Sequence, residues 1–173
     1  MTSELTAKEI AELLNLEPNA TCGSVRITYV AKEAFPEGAL PLPFKRSSPL
    51  GSALYFLVTP EAPVRLHRIR NDQLYHYYLG DPLELFLLKG DGSSERVVVG
   101  PDIKNGHQVQ FFLPGNTFHT ARLLGGGRWF LGASTEWPGV VPEDVEIGDL
   151  EALVKRHPGV EKELRAIATS AGS

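Results

Sequence analysis

Two short stretches of the sequence concentrate side chains that can take up or release a proton. Residues 66–80, LHRIRNDQLYHYYLG, contain two of the five histidines, one glutamine and three tyrosines. Residues 113–123, LPGNTFHTARL, contain a further histidine. An isomerase that acts next to a carbonyl group needs a base, an acid and a group that holds the enolate oxygen. A histidine with a pKa near neutrality can be the base, and a tyrosine hydroxyl or a second histidine can be the acid.

The polar residues of the first stretch alternate along a predicted strand. Because successive side chains of a strand point to opposite faces, an inward Gln73 places Tyr75 and Tyr77 inward as well. His76 and Tyr78 then point outward. An outward His76 fits a sheet-packing or dimer surface as well as it fits a ligand-binding role.

We predict His67, His119 and Tyr77 as catalytic residues. Apolar residues flank both histidines in the sequence. Partial desolvation lowers the pKa of an imidazole and favours the neutral form that accepts a proton at pH 7. Arg26 and Thr28 share one face of the first predicted strand, which either contacts a ligand or faces solvent. The predicted substrate-binding residues are Gln73, Tyr75, His76, Tyr78, Arg26 and Thr28.

Composition and charge narrow the classes of partner. The 173-residue chain has a formal net charge of −4 and a single cysteine, Cys22. It lacks the clustered Lys and Arg that phosphate contacts need, so we expect no nucleic-acid partner. One cysteine forms no internal disulfide, and we expect Cys22 to behave as a small, semi-buried hydrophobe. No apolar run approaches the roughly 20 residues of a membrane span, and the acidic N-terminal segment does not resemble a secretory signal, so we expect a cytoplasmic protein.

The elements that position these residues follow from hydrophobic periodicity and turn chemistry. Residues 6–16 predict a helix, with Thr6 as the N-cap and Glu9 at the spacing of a capping box. About nine or ten strands follow within residues 24–137, separated by Gly, Pro, Asp and Asn clusters at intervals of roughly 8–12 residues. Residues 148–169 predict C-terminal helices. A run of strands without interleaved helices predicts an all-β fold of closed or double-sheet type.

The segment HRIRNDQLYHYYLGDPLEL, together with LPGNTFHTARL and STEWPGVVPEDVEIGDL, resembles the small single-domain cupins. Those proteins are jelly rolls similar to dTDP-sugar 3,5-epimerases and germins, and they have no single settled activity. The resemblance runs over nearly the whole chain. It implies one cupin jelly-roll barrel over residues 1–173, with the predicted N-terminal and C-terminal helices beside it.

The resemblance leaves the metal-binding motifs of cupins incomplete. In the first motif two histidines, one residue apart, precede a glutamate. His67 matches the first histidine, but Ile69 stands at the second and Gln73 at the glutamate. The second motif, Pro-x-Gly-x-x-His, matches at Pro114 and His119. The remaining candidate metal ligands are His67, Gln73 and His119, two good donors and one weak neutral oxygen. We predict no cofactor, and a loosely bound divalent metal at these three residues is the open alternative.

The sequence therefore predicts a small-molecule isomerase, epimerase or cyclase that uses acid–base chemistry in the barrel pocket without a tightly bound metal. Two alternatives stay open: a non-catalytic cupin that binds a small ligand in the same pocket, and a metal-dependent oxygenase or decarboxylase. We also predict a homodimer, because the exposed edge of a first strand needs a cover. The Pro-rich segment of residues 36–49 is long enough to reach a partner chain.

Overall fold

The computed structural model describes residues 5–170 of the chain, with side chains up to residue 167. The outermost parts of the predicted domain, residues 1–4 and 171–173, lie outside the described residues. Within the described part, strands in antiparallel sheets dominate, with one helix before them and two after them. The predicted all-β class with flanking helices is therefore confirmed.

The N-terminal helix α1 spans Ala7–Leu14 and begins with the predicted capping box. Thr6 Oγ1 accepts a hydrogen bond from the backbone N–H of Glu9 at 3.2 Å, and the Thr6 backbone N–H donates to Glu9 Oε2 at 2.8 Å. These two bonds satisfy backbone donors that the first turn of a helix leaves free. The C-terminal helices are α2, Leu150–Arg156, and α3, Glu161–Ser170.

Thirteen strands lie within the described residues, and nine of them are four residues or longer, in agreement with the predicted nine or ten. The strands are β1 Glu17–Pro18, β2 Ser24–Val30, β3 Ala34–Phe35, β4 Ser48–Pro49, β5 Ser52–Val58, β6 Val64–Ile69, β7 Asp72–Gly80, β8 Leu83–Leu88, β9 Ser94–Val99, β10 Gln110–Leu113, β11 Phe118–Leu123, β12 Phe130–Trp137 and β13 Val145–Ile147.

Two large sheets carry most of these strands. One has six strands in the order β1-β2-β5-β12-β7-β10, and the other has five in the order β13-β6-β11-β8-β9. Neighbouring strands in both sheets are antiparallel. The motif-bearing strands β6 and β11 are neighbours, although about fifty residues separate them in the sequence.

The sheets pack face to face over an apolar core. The six-stranded sheet contributes Phe56, Val58 and Phe130, and the five-stranded sheet contributes Leu85 and Val99, all of them buried. Burial of each such side chain contributes about 1.5–3 kcal/mol, so this core is the main source of stability for the barrel.

The helices cover parts of the outer faces of the barrel. Ile10 of α1 packs with Leu57 and Leu131 on the outside of the six-stranded sheet. In the same way Leu153 and Leu164, from α2 and α3, lie against the outside of the five-stranded sheet. Within residues 5–170, none of the helices has both the length and the apolar character that a membrane crossing requires.

Candidate functional site

One end of the barrel is hollow and contains a cavity of about 410 Å³. Its lining comes from both sheets, from the turn before β2 and from the segment after β12. Most of the lining is apolar. Six of the polar side chains in the lining form a group that we call the polar cluster: Cys22, His67, Gln73, Tyr75, Ser134 and Glu136; Asn19, Thr21 and Ser52 also line the cavity.

A β-bulge positions His67. In the pairing of β6 with β11, Val64 lies opposite Ala121 and His67 lies opposite His119, so three residue steps on β6 match two on β11. The extra residue lets both Val64 and His67 face the barrel interior. The carbonyl of Arg65, within the bulge, accepts a hydrogen bond from His67 Nδ1 at 2.7 Å.

His119 lies beside His67, with the two ring centroids 4.4 Å apart. It is fully buried, with 0% of its surface exposed. Its Nδ1 donates to the Thr117 carbonyl at 3.0 Å, and its Nε2 is 3.1 Å from the Tyr75 hydroxyl. His119 is not part of the cavity lining, and it touches the cavity only through His67 and Tyr75.

The hydrogen bonds determine which nitrogen carries the proton in each neutral ring. A backbone carbonyl only accepts, so Nδ1 is the protonated nitrogen of both His67 and His119, and Nε2 carries a lone pair. Tyr75 donates its hydroxyl hydrogen to the Nε2 of His119. The Nε2 of His67 lies 3.9 Å from Cys22 Sγ, at the edge of the cavity.

Burial keeps both imidazoles neutral. Burial lowers the pKa of His67, and the hydrogen bond to the Arg65 carbonyl only partly opposes this. Burial, with a smaller contribution from His67, lowers the pKa of His119 to about 3. Burial also raises the pKa of the Tyr75 hydroxyl well above its ordinary value, so this group stays protonated and donates. The predicted lowering of both histidine pKa values thus agrees with their surroundings.

Glu136 is a cavity residue that was not predicted from the sequence. It lies on β12 directly opposite Gln73 of β7, and only 2% of its surface is exposed. Ser52 donates its hydroxyl hydrogen to Glu136 Oε2 at 2.6 Å. Burial raises the pKa of the Glu136 carboxyl, while hydrogen bonds from Ser134 and Ser52 act in the opposite direction. One signal in the sequence could have identified Glu136: it is the single carboxylic residue of the strand FLGASTEW, in which apolar and small residues predominate.

Cys22 reaches the cavity because of the glycine that follows it. Gly23 has a φ of +52°, and a Cβ at this position would lie 2.2 Å from the Leu57 carbonyl oxygen, so the turn requires glycine. Burial raises the pKa of the Cys22 thiol to about 11. The thiol is therefore protonated at neutral pH. Cys22 is half-buried, as the sequence predicted.

Besides His119, five predicted site residues do not line the cavity. Tyr77 faces the interior, as strand alternation predicted, but it lies toward the other end of β7. There its hydroxyl donates to the Gly80 carbonyl at 2.9 Å and its ring packs against Phe130. The predicted catalytic role of Tyr77 therefore receives no support from the cavity.

The other four lie on the outside of the six-stranded sheet. The guanidinium of Arg26 lies over the Tyr55 ring, and Thr28 donates to the Ala53 carbonyl. His76 is hydrogen-bonded to Thr135, and Tyr78 stacks on His76. The alternation of β7 thus agrees with the prediction. The substrate-binding roles predicted for Arg26, Thr28, His76 and Tyr78 likewise receive no support from the cavity.

The residues present do not fit a three-ligand transition-metal site of the cupin type. Ile69 and Gln73 both line the cavity, so the apolar and neutral replacements face the place where ligands would stand. The third predicted ligand, His119, is fully buried and its Nε2 already accepts from Tyr75. Across residues 5–167, no three His, Cys, Asp or Glu side chains are grouped so that they could hold a metal ion.

Two facing antiparallel sheets around a cavity with histidines on adjacent strands define a cupin jelly-roll barrel. The family model described as "Cupin superfamily (DUF985)" matches residues 8–148. The chain therefore belongs to this family of cupins. A search among curated proteins gave no match.

Solved structures share the fold over most of the chain. A hypothetical protein from Leishmania major has a TM-score of 0.84 and 24% identity, with 94% of this chain and 98% of that chain covered. A protein from Shewanella oneidensis has a TM-score of 0.83 and 22% identity, with 95% and 98% covered. A dTDP sugar isomerase from Desulfovibrio desulfuricans is more distant, with a TM-score of 0.52 and 16% identity over 78% of this chain and 88% of that chain. These similarities confirm the fold.

Proposed function

We propose that the protein is an isomerase or epimerase that moves a proton next to a carbonyl group of a small molecule bound in the barrel cavity. One observation supports the proposal: His67, whose Nε2 carries a lone pair, and Glu136 both line the same cavity. One is a neutral base and the other is a carboxyl whose pKa is raised by burial. Burial favours the neutral form of each group, so His67 can accept a proton and Glu136 can donate one.

In the proposed reaction, His67 Nε2 takes a proton from the carbon next to the carbonyl. The C–H electron pair becomes a C=C bond, and the C=O pair moves to the oxygen, which takes the proton of Glu136. His67 then returns its proton to carbon, and Glu136 takes back a hydroxyl proton as the C=O bond forms again. If the enol turns over in the cavity first, the proton reaches the opposite face of the same carbon, Glu136 retakes the enol proton, and the product is an epimer. In a 2-hydroxy carbonyl compound the proton can instead go to the former carbonyl carbon while Glu136 takes the proton of the neighbouring hydroxyl, and the product is a structural isomer. No atom or electron is gained or lost.

The neighbouring residues hold these two groups in place. The Arg65 carbonyl fixes the ring of His67, since its hydrogen bond to Nδ1 directs Nε2 toward the cavity. Ser52 fixes the carboxyl of Glu136, and the Val140 backbone N–H in turn donates to Ser52 Oγ at 3.1 Å. We propose that His119 and Tyr75 position His67. The ring of His119 lies against the ring of His67, and the Tyr75 hydroxyl holds His119 through its hydrogen bond to Nε2. The proposed steps involve no metal, because the donor set lacks the third ligand.

Deuterium incorporation tests this function even though the natural substrate is unidentified. Purified protein is incubated in D₂O with a panel of small aldehydes, ketones and sugars, and each compound is examined for deuterium next to its carbonyl. We expect exchange in at least one compound that NMR shows to bind in the cavity. His67→Asn and Glu136→Gln should each lower that rate by ~10²–10⁴-fold, the usual effect of a lost general acid or base.

His107→Asn is the matched control for His67→Asn. His107 lies outside the cavity lining, and its Nδ1 accepts from the Asp102 backbone N–H. This variant should exchange deuterium at the wild-type rate. If compounds bind in the cavity and none exchanges, the protein is a binding cupin and the proposed reaction is wrong. Stoichiometric iron, manganese, nickel or zinc in the purified protein would instead favour metal-dependent chemistry.

We also propose that two copies of the chain pair through the exposed part of β2. Strand β1 pairs only with Ser24 and Val25, so the rest of β2 is a sheet edge. Along that edge Tyr29, which is not part of the cavity lining, is 59% exposed. An apolar edge strand is a template for pairing with another strand. Light scattering should give twice the 18.9 kDa chain mass. Tyr29→Lys should shift the protein toward the monomer, and a wild-type mass near one chain would refute the dimer.

A further inference from the structure

The charge distribution around the cavity indicates what kind of molecule it accepts. Among residues 5–167, no lysine or arginine contributes to the lining, and its ionisable side chains are Cys22, His67, Tyr75 and Glu136. Arg46 and Arg70 lie in an adjacent hollow that shares Val141 with the cavity, and each is paired there: Arg70 with Asp144 at 3.8 Å, and Arg46 with Glu143 at 3.2 Å. The cavity therefore offers no side-chain cation to a bound anion.

The most buried polar side chains and the most exposed apolar side chains of the lining form two groups, while Asn19 and Thr21 lie on the turn before β2. The polar cluster is inside the barrel, where His67, Gln73 and Glu136 are all at least nine-tenths buried. The outer part, which we call the apolar mouth, consists of Ile27, Val30, Val140, Val141 and Pro142. Ile27 and Val30 remain 65% and 45% exposed, so a ligand that covers them removes apolar surface from water.

From this arrangement we propose that the cavity selects an uncharged, amphipathic molecule: one carbonyl or hydroxyl group bound at the polar cluster, and an apolar body that lies against the apolar mouth. The proposal rests on the proposed function in that it names the substrate class of the same site. It goes further in excluding anions, which include sugar nucleotides and small dicarboxylic acids.

The exclusion of anions has a physical cause. A carboxylate or phosphate that enters the cavity loses its hydration and gains no positive partner, and this loss is far larger for an ion than for a carbonyl. Glu136 adds repulsion whenever it is ionised. Protonated Glu136 and the Gln73 amide N–H₂ can donate a hydrogen bond to a neutral oxygen, while the Ser134 hydroxyl donates to Gln73 Oε1 at 3.4 Å. The diphosphate of a sugar nucleotide would therefore have no place here, although the fold is shared with a dTDP sugar isomerase.

A matched pair of probes tests the selectivity. 4-Phenylbutan-2-one and 3-phenylpropanoate share a phenyl ring and two methylene groups, and they differ by a methyl group in place of a charged oxygen. Each is titrated into ¹⁵N-labelled protein at pH 7.5, and binding is measured from the amide shifts of Val140 and Val141. We expect the ketone to bind at least tenfold more tightly than the carboxylate.

Ile27→Arg sharpens the test, since it places a cation at the exposed apolar mouth. This variant should raise the affinity for 3-phenylpropanoate by at least tenfold. Ile147→Arg is the matched control: Ile147 is 56% exposed, but it is not part of the cavity lining, and its replacement should change neither affinity.

The outcomes separate this inference from the proposed function. Equal or tighter binding of the carboxylate to the wild-type protein overturns the selectivity, and so does the absence of ketone binding in the cavity. Selective ketone binding without deuterium exchange in any compound leaves the selectivity standing and refutes the isomerase. Deuterium exchange into an anionic compound bound in the cavity would support the isomerase and refute the selectivity.

Discussion

The two ends of the same barrel differ in what fills them. On β12, Phe130 packs into the core at one end, whereas Glu136 lines the cavity at the other. On β7, Tyr77 packs against the core at the first end, and Gln73 lines the cavity at the second. Along β12 and β7 every second side chain faces the interior at both ends, so the difference on these two strands arises from residue type.

In this barrel, the residues that stabilise the fold and the residues proposed to act in catalysis lie at different ends. The filled end buries large apolar side chains that pack against one another. At the hollow end, buried polar groups are held by hydrogen bonds, such as those of His67 to a backbone carbonyl and of Glu136 to Ser52. Hydrogen-bonded burial keeps such groups in place, but it also moves their pKa values, as acid–base chemistry requires.

The largest expected effect is on stability and comes from the filled end. Phe130 is fully buried, and its ring packs against Phe56 with 5.4 Å between ring centroids. Phe130→Ala should lower the free energy of unfolding by about 3–5 kcal/mol, because it removes buried apolar surface and leaves a cavity. Urea denaturation measures this. A loss below about 1 kcal/mol would mean that this end is not the stabilising one.

Acid should destabilise the protein through the buried histidines. An unfolded histidine has a pKa of about 6.5, whereas folded His119 has a pKa of about 3. The unfolded chain binds more protons between these values, so stability is present above pH 6.5 and is lost as the pH falls toward 3. The expected loss is about 1.4 kcal/mol per pH unit for this one group. His119→Gln, which retains an acceptor for Tyr75, should flatten the slope, and an unchanged slope would contradict this assignment.

Glu136 should give a smaller effect with the opposite sign. Its folded pKa is raised above 4.5. The stability that it contributes is therefore present below pH 4.5 and is lost as the pH rises through the folded pKa. Glu136→Gln should unfold at a higher urea concentration than the wild type at pH 8, and at nearly the same concentration at pH 4. A variant less stable than the wild type at pH 8 would refute the raised pKa.

The smallest effect concerns Tyr77. Tyr77→Phe removes the hydrogen bond to the Gly80 carbonyl and should cost about 0.5–1 kcal/mol of stability. Because Tyr77 lies at the filled end, the variant should bind 4-phenylbutan-2-one as the wild type does. A weakened affinity for the ketone would place Tyr77 in the site after all.

The sequence predicted the fold well because its signals are local. Periodicity and the capping box predicted α1, and turn chemistry divided the strands correctly. The alternation of β7 was also correct, since Gln73, Tyr75 and Tyr77 share the interior face. His67 and His119 were predicted to lie together because they match motif ends that the fold brings onto neighbouring strands, and the two residues are opposite each other there.

The site itself depends on features that are not local. Glu136 is buried because β12 lies between β5 and β7, and no property of the segment STEW predicts that pairing. Arg26 and Thr28 were assigned to the ligand because they share one face of β2, and the sequence alone leaves open whether that face contacts a ligand or faces solvent. Tyr77 shows the remaining difficulty: alternation predicts the face of a strand, but not which end of the barrel a residue occupies.

The most direct test of the proposed acid and base is to titrate Glu136 and His67 by NMR, with ¹³C at the carboxyl and ¹⁵N in the imidazole. We predict that Glu136 stays protonated at pH values where exposed glutamates have ionised. We also predict that His67 stays neutral below pH 6.5, with its proton on Nδ1 and a lone pair on Nε2. If Glu136 titrates with the exposed glutamates, or if His67 carries its proton on Nε2, the hollow end does not hold the proposed acid and base.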